Sequence, residues 1–598
     1  MLSLLKKKWC LADVSSEKSS TLAEELNIPF SVAILLINRG VDNAEEANLY
    51  LKSDFSLLHD PFLMTGMDKA VERVIRAIEN EESITVFCDY DVDGVTSAAF
   101  LTHFFRDLNC HINAYLPERE EEGYGLNSHA VQKIRSQGAN LMITADCGIT
   151  GVKEVAFANE LGLDVIVTDH HQVGDEGLPQ AVAVLNPHQA ECDYPFRFLS
   201  GVGLAFKLAI GVRNGLHSAG IKKEDLPNLK RHLDLFALGT IADVAPLTGE
   251  NHILTRHGLD VLSTSSKPGL VALKEVAGIV GNVDARSVGF GLGPRLNAAG
   301  RLGKADNGLH LLTATDLSAA KVLAQDLEKT NRERKEIQEE TFLEAESLIR
   351  SELYIENERV IVLASEIFHQ GVIGIAASKI VDKYHRPTVL IALKDGLGKG
   401  SGRSIPKFNL FKSFTECSSH LIQFGGHAYA AGLSIDEEKI DAFRDAMQVV
   451  GHQFLKEDDL IPEVRIDSIL DISQIDFALN KNISLLEPLG AENSVPSYKS
   501  KNIKIKDLKL IGKEKTHARF HAVQGRGQIE VVAFNFAKVL EAVDTSTEVF
   551  DIAYELHLNS WNGREKLELK MVDISPVSYT HLRAHETEAA LVCRLLLE

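Results

Sequence analysis

Three apolar runs in the first third of the chain each stop at an aspartate: Ile84-Thr85-Val86-Phe87-Cys88-Asp89, Leu141-Met142-Ile143-Thr144-Ala145-Asp146 and Val165-Ile166-Val167-Thr168-Asp169. Short β-branched runs followed by helical patterns are parallel strands of an α/β sheet, and ligands of such sheets sit at the carboxyl ends of the strands. The first run continues Asp89-Tyr90-Asp91-Val92-Asp93-Gly94 and the third continues into His170-His171. At least five carboxylates and two imidazoles therefore converge on one sheet edge. So much like charge in one place is costly unless cations neutralise it. The pattern predicts a multi-metal site.

Two plainer readings are weaker. Asp89-x-Asp91-x-Asp93-Gly94 matches the opening of an EF-hand calcium loop, but its twelfth position is Phe100, where a bidentate Glu is needed, and a strand precedes it instead of a helix. Helix capping explains one acid at each strand-to-helix turn. It does not explain three acids in one turn, nor two histidines directly after Asp169. Oxygen and imidazole ligands without thiolate favour Mn²⁺ or Mg²⁺. Two such ions about 4 Å apart can bridge a water and a phosphoryl oxygen, which points to phosphoester hydrolysis. No Walker A loop is present, so an NTP-driven motor is not indicated.

The 598 residues suffice for several domains. No apolar run approaches the ~20 residues that span a bilayer, so no membrane partner is expected. The start, Met1-Leu2-Ser3-Leu4-Leu5-Lys6-Lys7-Lys8, does not read as a secretory signal. Seven cysteines with no C-x-x-C pair suggest neither a zinc ribbon nor a disulfide framework, and a reducing cytoplasm fits. The net charge of −21 argues superficially against nucleic acid, but binding depends on local patches. From Lys499 to Glu530 there are nine Lys/Arg against three Asp/Glu, a basic segment on an acidic body.

Residues 1–60 read as a helical extension. Residues 61–315 alternate strand and helix as a doubly wound α/β domain, with a mostly helical second half. Residues 316–352 are charged and almost free of Gly and Pro, which predicts a long linker helix with one face in solvent. A second α/β unit spans 353–457. A β-rich unit spans 458–575 and fits a small barrel. Residues 576–598 resemble a translated sequencing-library adapter and are set aside as an artefact.

Further stretches suit nucleic-acid contacts. Arg295, Asn297 and Arg301 lie in the glycine-bounded Gly293-Pro294-Arg295-Leu296-Asn297-Ala298-Ala299-Gly300-Arg301, which suits phosphate contacts. Surface arginines at a domain junction are the plain alternative. Gly398–Ser404 and Phe424–Gly432 are glycine-rich turns in which backbone N–H groups can approach an anion, with Arg403 adding a planar fork. In the barrel, Lys513, Arg519 and Phe520 stand among other lysines. Charge beside a stacking ring is how small barrels hold single strands; a solvated lysine face is the alternative.

Cys88–Gly94, Thr144–Gly148, Asp169–His171 and Gly239–Val244, taken in that order, resemble the successive motifs of the DHH phosphoesterase superfamily. Within it the chain resembles the single-stranded-DNA-specific exonucleases over residues 50–575. The resemblance implies two Mn²⁺ or Mg²⁺ ions held by Asp89, Asp91, Asp93, Asp146, His170, His171 and Asp243. It implies catalytic roles for Asp91, Asp93, His170 and His171, with Asp169 orienting the histidines as carboxylates do for metal-bound imidazole; contact with the scissile phosphate is the second role for His171. It further implies a DHHA1 domain, whose Ser401, Arg403, Ser404 and His427 hold the terminal nucleotide and its 5′ phosphate, and a C-terminal OB fold. The implied activity is 5′–3′ exonuclease action on single-stranded DNA, releasing mononucleotides in DNA recombination and repair. A helicase and a single-strand-binding protein are implied partners, and a monomer is expected. The alternatives are a phosphodiesterase of short oligonucleotides or cyclic dinucleotides, which usually lacks the barrel, and an inactive Cdc45-like DNA-binding scaffold, which loses metal ligands that are all present here. One departure is Ser494, where the family often has proline.

Overall fold

The computed structural model describes residues 2–117, 125–302, 306–561 and 564–577; most of the adapter-like tail lies outside them. The chain forms two compact units. Among the described residues, one is Leu49–Lys456 with Glu487–Ser494, and the other is made of residues 2–48, Glu457–Leu486 and residues 495–577.

The N-terminal segment opens with a strand, β1 (Lys8–Leu11), before the helices α1 (Ser16–Leu26), α2 (Phe30–Ile37) and α3 (Ala44–Lys52). The sequence pattern suggests helices alone there. Strand β1 exists because it lies parallel to Glu463–Ile466 from the far end of the chain, and Trp9 Nε1 donates to Asp573 at 2.7 Å. Four residues carry no readable period, and their partner is non-local.

In the larger unit, α4 (Met67–Glu79) buries Met67, Ala70, Val71, Val74 and Ala77, one face at helical spacing. Then follow β2 (Ile84–Cys88), α5 (Val92–Asp107), β3 (Ile112–Tyr115), α6 (Ser128–Ser136), β4 (Leu141–Ala145), α7 (Val152–Glu160), β5 (Asp164–Thr168) and β6 (Ala183–Leu185). The sheet order is β3-β2-β4-β5-β6 and every pairing is parallel. Register does the positioning. Cys88 pairs with Ala145 and Ala145 with Thr168, so the next residues, Asp89, Asp146 and Asp169, form one row across three adjacent strands. Helices α8 (Gly201–Ser218) and α9 (Leu233–Ala242) pack on α5.

Next come α10 (Gly293–Leu302) and the 36-residue linker helix α11 (Leu317–Glu352), capped by Asp316, whose side chain accepts from Ala319 N at 2.8 Å. The linker buries more polar surface than its charged sequence suggests: Asn331, Arg334, Gln338 and Thr341 are all inside. The second α/β unit has β7 (Ile361–Ser365), α12 (Ile373–Tyr384), β8 (Thr388–Lys394), β9 (Leu397–Arg403), β10 (Gln423–Gly426) and β11 (Ala430–Asp436), in the order β10-β11-β9-β8-β7. The other compact unit adds β12 (Glu463–Ile466), β13 (Ser468–Ile469), β14 (Ser497–Ile511), β15 (His517–Gln524), β16 (Gly527–Ala533), β17 (Phe550–Trp561) and β18 (Arg564–Pro576). Strands β14 to β18 close into a barrel through the β14–β17 pairing. Among the described residues no single helix is long and apolar enough to cross a membrane.

One buried pair makes the fold acid-sensitive. His232 stacks on His103 of α5 with ring centroids 5.4 Å apart, and neither ring nitrogen of His232 finds a hydrogen-bond partner. Its Nε2 lies 3.5 Å from Asp107, outside bonding geometry. Burial, and then Lys267, His103 and Arg231, against the pull of Asp234, hold its pKa down to about 3. The unfolded chain takes up this proton first. The contribution to stability is therefore complete above about pH 6.5 and is lost as pH falls toward 3, at about 1.4 kcal/mol per pH unit. Urea unfolding between pH 7.5 and 5 is expected to show a shallower pH slope in His232→Gln than in the parent; equal slopes contradict this reading.

Candidate metal centre

The turn after β2 is built by its own acids. Asp91 caps α5, its Oδ1 accepting from Asp93 N at 2.9 Å and Gly94 N at 3.1 Å. Gly94 is required, because a Cβ there would sit 2.4 Å from the Asp89 carbonyl oxygen. Capping thus accounts for one oxygen of one acid, as the sequence allowed. Asp93 turns inward, fully buried, and accepts from Gly201 N at 2.5 Å and Val202 N at 2.9 Å, at the N-terminus of α8. Helix N-termini favour anions, yet burial and then Asp91 push the Asp93 carboxyl up to about 7. Asp146 is buried in the left-handed region (φ +63°). Burial, then Asp93, Asp91, Asp243 and Asp89, hold it well above the carboxylate range. Asp243, at the end of α9, is raised likewise by burial, then by Asp93 and Asp91.

The centre carries polar atoms with no partner. Asp146 Oδ1 and His170 Nε2 are buried 3.0 Å apart, and neither makes a hydrogen bond. His170 Nε2 is also 3.9 Å from Asp243 Oδ2. Burial, then the charge of His171, hold the His170 pKa down to about 4, so the ring is neutral and its lone pair free to ligate. Three groups bring potential ligand atoms within 4.8 Å of one another: Asp89, Asp91 and Asp146; Asp93, His170 and Asp243; Asp146, His170 and His171. Asp146 and His170 each belong to two of them. Orphaned donors and crowded carboxylates are what divalent cations compensate, and the donor set fits such ions.

Asp169 behaves differently. Its Oδ1 takes His171 Nδ1 at 2.7 Å and His171 N at 3.0 Å, and its Oδ2 takes Ile149 N at 2.9 Å. Burial pushes its carboxyl up, but these bonds and the His171 charge leave it below the usual range. Burial likewise opposes charge on His171, and the bond to Asp169 overrides it, raising that pKa. These bonds orient His171 alone, whereas the resemblance implies a hold on both histidines.

Several positioning residues escaped sequence reasoning. Besides Gly201 and Val202, Asn186 is buried after β6 and donates to the His171 carbonyl at 2.8 Å. A Cβ on Gly201 would lie 2.6 Å from Asp146 Cβ, and one on Gly239 2.2 Å from Thr96 Oγ1. The available signal was Ser200-Gly201-Val202-Gly203, a serine cap followed by small residues, with Ser200 Oγ accepting from Gly203 N.

The expected substrate contacts divide. Arg295 is not free for phosphate: NH1 donates to the Gly291 carbonyl at 2.6 Å, NH2 to that of Val276 at 3.3 Å, and Nε lies 2.7 Å from Glu328 of α11. Asn297 Oδ1 accepts from Val92 N at 3.3 Å and so props the acidic turn. Arg301 NH1 donates to the Gly371 carbonyl at 3.2 Å, linking α10 to the second α/β unit. Ser401 Oγ accepts from Arg403 NH1 at 3.1 Å, and Gly374 makes room for both, since a Cβ there would lie 2.8 Å from Arg403 NH2 and 2.9 Å from Ser401 Oγ. Ser404 Oγ donates to the Phe408 carbonyl at 2.6 Å, which pins its own turn. His427 is exposed, directly beyond β10.

In the barrel, Phe520 is a correction: it is 1% exposed, packed between Ala518 and Ala522 on the inward side of β15, and offers no face to a base. The outward side carries Lys504, Lys506, Lys509, Arg519 and His521, brought together by the pairings Lys506–His521 and Lys509–Arg519. Arg519 Nε lies 3.3 Å from Glu530, which also pairs with Lys566, and Lys513 is exposed in the β14–β15 turn.

Comparison with known proteins follows the same plan. Residues 83–240 match the DHH family, N-terminal domain; 357–450 match the DHHA1 domain; and 466–573 match the RecJ OB domain. The single-stranded-DNA-specific exonuclease RecJ of Bacillus subtilis (strain 168) is 37% identical over 571 residues, which is 95% of this chain and 71% of that protein. The protein of the same name from Salmonella typhimurium is 35% identical over 580 residues, 94% of this chain and 98% of its own length. The crystal structure of RecJ in complex with Mn²⁺ from Thermus thermophilus superposes with a TM-score of 0.80 at 28% identity, covering 95% of this chain and 79% of that one.

Proposed function

The chain belongs to the RecJ family of single-stranded-DNA-specific exonucleases, and on that premise we propose that it hydrolyses single-stranded DNA from the 5′ end, releasing 5′-mononucleotides during cytoplasmic DNA recombination and repair. The observation that carries this reading is the orphaned pair Asp146 Oδ1 and His170 Nε2 within a cluster of buried carboxylates. Two Mn²⁺ or Mg²⁺ ions would be held by Asp89, Asp91, Asp93, Asp146, His170, His171 and Asp243. When bound, such ions supply positive charge to a phosphoryl oxygen and lower the pKa of water.

The chain's own groups do the positioning. The N-terminus of α8 holds Asp93 by two backbone donors. Asp169 fixes the ring of His171 through Nδ1; contact with the scissile phosphate, in place of a metal ion, is the second role for His171. Ser401, Arg403, Ser404 and His427 of the second α/β unit would receive the terminal nucleotide and its 5′ phosphate, and Arg301 ties α10 to that unit through the Gly371 carbonyl. In this reading the chain works as a monomer, on strands exposed by a helicase and kept open by a single-strand-binding protein.

Digestion of single strands labelled at either end, with Mn²⁺ and beside a matched duplex, tests the activity. The 5′ label is expected first and the blunt duplex is expected to resist. Release of the 3′ label first, or equal attack on duplex, contradicts the proposal. The barrel's outward lysines add an electrostatic grip. Each phosphate contact contributes about 0.7 to the slope of log affinity against log salt for single strands. Changing Lys504, Lys506 and Lys509 together to glutamine is expected to flatten that slope by about 2. Fluorescence anisotropy between about 50 and 200 mM salt checks this, and an unchanged slope removes this face from the binding surface.

A further inference from the structure

Directly before α10 the chain makes a π-helical turn, Val288–Leu292. Such turns are uncommon and recur at functional sites. Glycines let this one press against its neighbours. A Cβ on Gly293 would lie 3.2 Å from that of Ala242, the residue before Asp243, and one on Gly291 would lie 3.0 Å from Ile279 Cδ1. Gly289 faces Ile241. Phe290, held between these anchors, is 81% exposed. Val280, next to Ile279, is 94% exposed, and Val244, which directly follows Asp243, is 69% exposed. Val244 is also left-handed (φ +62°), an unfavourable conformation for a β-branched residue. The Arg286 guanidinium lies 5.7 Å from the Phe290 ring centre. Among the described residues no carboxylate pairs with Arg286.

Scattered exposed apolar residues are ordinary. An exposed ring with a cation over it, on a turn packed against the two residues that precede Asp243, is not scatter. We propose that Phe290 is a stacking platform for a nucleobase of the single strand whose phosphate lies at the metal centre, with Arg286 meeting that strand's backbone. This rests on the exonuclease reading above. The occupant follows from chemistry: a base offers a flat apolar face to the ring, and its phosphate offers the charge that Arg286 lacks.

The test uses the Mn²⁺-loaded protein and a phosphorothioate single strand that resists cleavage, carrying one 2-aminopurine at successive positions from the 5′ end. One position near the 5′ end is expected to be quenched in the parent, to brighten in Phe290→Ala and to be quenched again in Phe290→Trp. The dissociation constant is expected to rise about 5- to 150-fold in Phe290→Ala, matching the loss of one stacked base, and to recover in Phe290→Trp. Hydrolysis of bis(p-nitrophenyl) phosphate, a diester with no nucleobase, is expected to stay within about twofold. Unchanged quenching and affinity in Phe290→Ala overturn the proposal, as does an equal loss on the small ester, which would mark a structural effect on the centre. Because the strand is not cut, these readouts hold even if the parent fails to cleave DNA; that failure would count against the exonuclease reading alone.

Discussion

Asp146→Asn is expected to remove metal-dependent hydrolysis while making the metal-free protein more stable. Asp146 belongs to two of the three ligand groups, and its Oδ1 is one of the two orphaned atoms of the centre. Without that carboxylate each group loses one negative ligand, and losing about 4 kcal/mol of transition-state stabilisation lowers the rate about a thousandfold. Stability moves the other way. A buried carboxyl raised far above its ordinary pKa makes folding less favourable as pH rises through the range between its unfolded and folded values. Asparagine has nearly the same shape and nothing to ionise. In EDTA at about pH 8 the variant is therefore expected to melt above the parent. With Mn²⁺ the order is expected to reverse, because a cation that binds only the folded parent stabilises it. Near-normal turnover, or a lower melting point in EDTA, contradicts the assignment.

Gly201→Ala is expected to damage the centre without touching a ligand. The added methyl would sit 2.6 Å from Asp146 Cβ and 2.9 Å from its Cγ, so either the carboxylate or the start of α8 must move. Moving α8 also pulls the Gly201 and Val202 donors away from Asp93. Overpacking of this kind costs about 1–3 kcal/mol, and disturbing groups that orient ligands typically weakens metal binding about 10- to 100-fold. Gly203→Ala is the control. It lies in the same first turn, and its nearest neighbours are Leu199 side-chain atoms at 3.2 and 3.3 Å, not a ligand. Calorimetric titration with Mn²⁺ is expected to show weakened binding for Gly201→Ala and near-parental binding for Gly203→Ala. Equal affinities for both variants would remove α8 from the architecture of the centre.

What could be read from the chain alone follows a physical rule. Asp89, Asp146 and Asp169 were legible because each ends an apolar run, and in-register parallel strands place such ends in one row. The linker helix was legible from a charged composition almost free of Gly and Pro, whereas its Asp316 cap emerges only in the structure. The contacts that decide fine roles are non-local and leave little local trace. Arg295 looks like a phosphate ligand until Glu328 and two carbonyls are seen to hold it. Gly201 and Val202 serve an aspartate over a hundred positions earlier, and β1 waits for a partner near the other terminus. Phe520 is a different case. The alternation Ala518, Phe520, Ala522 is present in the sequence and, at a period of two, points all three side chains to one face. The basic residues around it mask that pattern, and the barrel interior shows which signal governs.

The most direct measurement is anomalous diffraction at the manganese edge from crystals of the Mn²⁺-loaded protein. Two peaks are expected in the centre, one contacted from the group of Asp89, Asp91 and Asp146 and the other from the group of Asp93, His170 and Asp243. A single peak, or manganese bound away from these side chains, would contradict a two-cation hydrolytic centre.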